Sequence, residues 1–60
     1  MTRVNERDAA DRVTEVLNRH PEWRSRLSQA DVGYLFYLSL MGKGISYLEG
    51  AAQAMMVKEK

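Results

Sequence analysis

Residues 32 to 41, VGYLFYLSLM, hold no charged side chain, and Gly33 and Ser39 are their only breaks in apolar character. A helix over this stretch is apolar on nearly every side, and such a helix is buried on nearly every side. That is hard to satisfy in a chain of 60 residues. A domain this small buries only about 60% of the surface its unfolded form exposes. Small domains therefore lean on disulfides, a metal or a partner subunit. The chain has no cysteine, which excludes disulfides and thiolate metal sites. Its one histidine, His20, excludes a multi-histidine site within a single chain. Neither a metal nor a cofactor is expected, and oligomerisation remains as the staple.

The first half of the chain has the opposite character. Residues 1 to 31 contain six arginines and six acidic residues, whereas residues 32 to 57 contain only Lys43 and Glu49. Residues 4 to 19 read as an amphipathic helix. Ala9, Val13, Val16, Leu17 and His20 form one apolar stripe. Asn5 is placed to cap its start, with Asp8 three residues on. Asp8 to Arg12 and Glu15 to Arg19 are i,i+4 pairs with the acid first. Pro21 ends this helix and opens a short helical turn in which it takes the first position. His20, at the helix end, is expected to help cap it.

Ser28 starts a second helix, predicted from Gln29 to Met41, with Asp31 in its first turn. Gly42-Lys43-Gly44 interrupts the pattern, and either glycine can supply the positive φ of a helix C-cap. Ser46 with Glu49 has the spacing of a capping box, so a third helix is predicted from Tyr47 to Lys58. Ile45, Leu48, Ala52 and Met55 give it a short apolar seam. Gly50, Ala51 and Ala54 bring small residues together where another helix can approach closely.

Several functions fit the apolar segment poorly. A membrane span needs about 20 consecutive apolar residues, and this run stops at Gly-Lys-Gly. MGKGIS lacks the Ser or Thr after lysine, and the upstream glycine, of a phosphate loop. A helix-turn-helix has the right outline, but its reading helix offers Glu49 near the N-terminal end where base-contacting donors are needed. The net charge of +1 argues against nucleic acid and against anionic membrane. No second histidine and no apolar-embedded pair of carboxylates supports catalysis, so an enzyme is not expected. Arg3 is followed by no apolar stretch, so no leader is predicted and a cytoplasmic location is the default expectation.

The expected fold is all-α: one small domain over residues 1–60, with two apolar helices in a hairpin, an N-terminal amphipathic helix, and dimerisation completing the core. The expected function is protein–protein interaction, as an adaptor, inhibitor or regulator that binds a larger protein and itself forms a homo-oligomer. Tyr34, Phe36, Tyr37, Leu38, Met41, Tyr47 and Leu48 are the candidate self-association residues. Trp23, Arg24 and Arg26 form a candidate exposed epitope for a different partner, because tryptophan and arginine anchor interfaces. The alternatives are a helix-turn-helix-like DNA-binding regulator and, second, a small membrane-associated protein.

Overall fold

The computed structural model describes residues 4–58. Arg3, on which the leader expectation rests, lies outside them. The described chain is all-helical: α1 (Glu6–Arg19), a 3-10 turn (Pro21–Ser25), α2 (Gln29–Leu40) and α3 (Ile45–Lys58). Each α-helix packs against the other two.

Local sequence sets most of the boundaries. Asn5 Oδ1 accepts the Asp8 N–H at 2.9 Å and starts α1. Pro21 takes the first position of the 3-10 turn, which leaves α1 to end at Arg19 with His20 as its C-cap. Ser28 and Asp31 form a reciprocal capping box at α2: Ser28 Oγ accepts the Asp31 N–H at 3.1 Å, and Asp31 Oδ2 accepts the Ser28 N–H at 3.2 Å. At the other end of α2, Gly42 has φ +94°, a conformation that favours glycine. The Gly42 N–H bonds the Ser39 carbonyl at 3.0 Å and the Lys43 N–H bonds the Leu38 carbonyl at 3.2 Å. Together these two bonds make a Schellman motif that stops the helix and turns the chain.

The capping box expected at Ser46 does not form. The Leu48 N–H bonds the Gly44 carbonyl at 3.1 Å, so α3 begins at Ile45 and Ser46 lies inside its first turn. Glu49, the expected partner of Ser46, turns instead to His20. The Asp8–Arg12 pair is also replaced: Arg12 Nη1 donates to the Lys43 carbonyl at 3.2 Å and ties α1 to the turn between α2 and α3. The Glu15–Arg19 pair is present at 3.2 Å.

The core collects Val13, Val16 and Leu17 of α1, Trp23 and Leu27 of the connection, Leu35 and Leu38 of α2, and Leu48, Ala52 and Met56 of α3. Burying a large aliphatic side chain is worth about 1.5–3 kcal/mol. Leu35, Leu48 and Val16 are fully buried. Ser39 breaks the apolar run in sequence but is also fully buried, and its Oγ donates to the Ala9 carbonyl at 3.1 Å. Ala9 itself has no exposed surface, so two small residues let α1 and α2 approach here, and the hydroxyl is satisfied across the contact.

Candidate protein-binding face

The three helices do not bury all of the apolar surface of α2 and α3. On α2 the exposed residues after the first turn are Gly33, Tyr34 and Tyr37, and Met41 follows at the C-cap. Tyr34, Tyr37 and Met41 stand at i, i+3 and i+7, one stripe of the helix. On α3 the exposed residues among those described through position 57 are Ser46, Tyr47, Gly50, Gln53, Ala54 and Val57. Tyr34 is 50% exposed, Met41 50%, and Tyr37 and Tyr47 54% each, far above what their size and apolarity favour in a closed core.

Between the two helices lies an open groove of about 340 Å³ lined by Tyr34, Leu38, Tyr47, Gly50 and Ala51. Tyr34 and Tyr47 supply its aromatic lining. The Tyr37 ring stacks beside Tyr34 with centroids 6.3 Å apart, and Lys43 Nζ sits 5.0 Å from the Tyr47 centroid in a cation–π contact. Among the described side chains, Lys43 is the sole charge on the exposed part of α2, α3 and their turn.

Two glycines interrupt the middle of these helices. A glycine inside a helix costs about 0.8–1.0 kcal/mol relative to alanine. A Cβ built on Gly33 or Gly50 would meet nothing within 4 Å, so the packing of the single chain requires neither.

The self-association residues named from sequence divide in two. Tyr34, Tyr37, Met41 and Tyr47 gather on this face. Leu38 and Leu48 belong to the core, although Leu38 also closes the groove floor, and Phe36 is half-buried against the core. The residues proposed as an exposed epitope divide as well. Trp23 is a core residue, only 5% exposed, because the 3-10 turn folds it inward against His20. Arg24 and Arg26 are exposed, and Arg24 Nη2 donates to Asn18 Oδ1 at 2.9 Å.

A second cluster escaped the sequence reading. The His20 ring stacks on Trp23 at 3.8 Å with an interplanar angle of 8°, and its Nε2 lies 3.2 Å from Glu49 Oε2. Arg19 Nη1 is 3.7 Å from the same oxygen. Glu49 lies 29 residues from His20 and 30 from Arg19 in sequence, and no local spacing announces such a contact. At the C-terminal end of α1, His20 contributes its backbone N–H, which bonds the Val16 carbonyl at 3.2 Å, and its ring turns to Trp23 and Glu49. Among the described residues there is no His, Cys, Asp and Glu group able to hold a metal ion, and no helix is long and apolar enough to cross a membrane. No family model, curated protein or solved structure matches the chain.

Proposed function

We propose that this chain is a small helical protein-interaction module, an adaptor, inhibitor or regulator, that docks through the exposed face of α2 and α3. The observation that carries this reading is the grouping of Tyr34, Tyr37, Met41 and Tyr47, each about half exposed, around an open groove. Tyrosine suits such a role because its ring buries a large area while its hydroxyl keeps a polar partner. Homo-oligomerisation through this face belongs to the same proposal.

The charge pattern favours protein over DNA as the partner. Among its described side chains, the exposed surface of α3 presents Tyr47, Ala54 and Val57, with Gln53 as its one amide, where a reading helix needs arginine, lysine or several amides. The six arginines lie outside α2 and α3, and residues 1 to 31 hold six acids alongside them.

A photo-activatable phenylalanine analogue placed at Tyr47, and separately at Glu22 outside the face, tests the reading in the native cell. Adducts to protein, whether to itself or to another chain, are expected from position 47 and not from position 22. Equal yields from both positions, or none from position 47, would remove the face as a docking surface.

A further inference from the structure

Resting on the reading of the α2–α3 face as a docking surface, we infer that its occupant is a second copy of this chain, packed so that Gly50 lies at the closest approach of the two backbones. Three observations converge on this pairing.

The first is Gly50 itself. It sits in mid-helix, lines the groove between the Tyr34 and Tyr47 rings, and faces space that a methyl group could occupy without contact. Inside one chain the glycine therefore weakens α3 and relieves no crowding. A helix lying across it gives the missing methyl a purpose, because small residues at a crossing let two backbones approach. Ala51 and Ala54, next to it and one turn on, extend the low ground.

The second is charge. In a two-fold pair the same patch meets itself, so any charge in the patch faces its own sign nearby. Among the described side chains this face carries one charge, Lys43, at its edge and over the Tyr47 ring. Such a surface is compatible with its own copy. A strongly cationic partner would find no complementary charge there, and a strongly anionic one only Lys43 among the described side chains.

The third is area. A whole tyrosine offers about 150–250 Å² for burial, so three half-exposed tyrosines offer roughly 225–375 Å². Met41, half exposed, and Val57, 70% exposed, raise the apolar patch to several hundred Å², within the range of the largest patch on a typical monomer. Two such faces bury on the order of 1,000 Å² together, the lower edge of specific interfaces. The expected pair is thus a dimer in measurable exchange with its monomer.

Sedimentation equilibrium of the full chain, the Gly50→Leu and Gly50→Ala variants and Tyr37→Ser tests the inference. Circular dichroism of each protein, diluted to where it is monomeric, reports its fold. The wild type is expected to show a monomer–dimer equilibrium. Gly50→Leu should weaken association at least tenfold while keeping or raising the helicity of the monomer, since its Cβ meets open space and leucine is a better helix former than glycine. Gly50→Ala, the safer variant for folding, should weaken association by a smaller factor while raising the thermal midpoint of the monomer. Dimerisation that Tyr37→Ser weakens and neither Gly50 variant touches would overturn Gly50 as the point of approach. A wild type that stays monomeric into the millimolar range would overturn the second copy as occupant. The wider reading of the face then stands or falls separately, on whether the crosslinker at position 47 captures other proteins.

Discussion

His20 Nε2 lies 3.2 Å from Glu49 Oε2, and this bond joins the C-terminal end of α1 to the second turn of α3. The stack on Trp23 fixes the ring from one side and the carboxylate fixes its edge. Both side chains are mostly buried, at 30% and 25% exposure, so water competes only in part. A hydrogen bond of this kind contributes about 0.5–1.5 kcal/mol net. Glu49→Ala and His20→Ala should each lower stability by at least that amount in urea unfolding. Their double-mutant cycle should return a coupling of about 0.5–1.5 kcal/mol. Strict additivity would mean that the bond does not hold the two helices together.

Ser39 and Ala9 test how closely α1 and α2 approach. Ser39→Ala removes the bond to the Ala9 carbonyl, which keeps its helical partner within α1, at a cost of about 0.5–1.5 kcal/mol. Ser39→Leu forces volume into a contact made by two small residues and should cost about 1–3 kcal/mol or more. Chemical denaturation of both variants checks this. A stability gain from Ser39→Leu would show that the contact has room to spare.

The two glycines of the Gly-Lys-Gly turn should respond in opposite directions. Gly42 has φ +94°, so Gly42→Ala places a Cβ in the left-handed region and should cost about 1–2 kcal/mol. Gly44 lacks this constraint, precedes the first residue of α3, and offers no side chain to its exposed N–H groups. Gly44→Ser adds a capping oxygen and should stabilise by a few tenths of a kcal/mol. Thermal midpoints of the two variants decide the assignment, and the reverse order would contradict the turn geometry.

How far these features could be read from sequence depended on how local their causes are. Asn5 with Asp8, Ser28 with Asp31, and Pro21 act within three residues, so the starts of α1 and α2 and the 3-10 turn are legible in the chain. The stripe Ala9, Val13, Val16, Leu17 is legible for the same reason, because a charged opposite face leaves no ambiguity. α2 offers no such contrast. With apolar residues around its whole circumference, spacing alone cannot say that Leu38 turns inward while Tyr37 turns outward. It equally hides the buried position of Ser39. Ser46 and Glu49 have the right spacing for a cap, but a contact from another helix outcompetes it. Trp23 reads as an exposed anchor until the chain folds the 3-10 turn back over α1. The tyrosine face is partly legible, because Tyr34, Tyr37, Met41 and Tyr47 can be named from sequence. Their separation from Leu38 and Leu48 is a tertiary fact.

Leu48 and Tyr37 should respond very differently to truncation. Leu48→Ala empties a fully buried site and should cost about 2–5 kcal/mol, a large part of the stability of a domain this small. Tyr37→Ser removes a side chain that is 54% exposed and should change monomer stability by no more than about 0.5 kcal/mol. Urea titrations in the dilute, monomeric range separate the two effects. Comparable losses would place Tyr37 in the core.

Trp23 provides an internal optical check. As a core residue its emission should be blue-shifted and poorly quenched by acrylamide in the folded chain, with both properties lost on unfolding. Trp23→Ala should cost about 3–5 kcal/mol. Emission like that of free tryptophan would return this residue to the surface.

The most direct test of the α2–α3 face as an interaction surface is a dilution series followed by amide nitrogen–proton correlation spectra, from micromolar to millimolar chain. Concentration-dependent shifts are expected at Tyr34, Tyr37, Met41, Tyr47, Gly50, Ala51 and Ala54, with the charged face of α1 unchanged. Shifts confined to α1, or spectra that do not change across the series, would contradict pairing through this face.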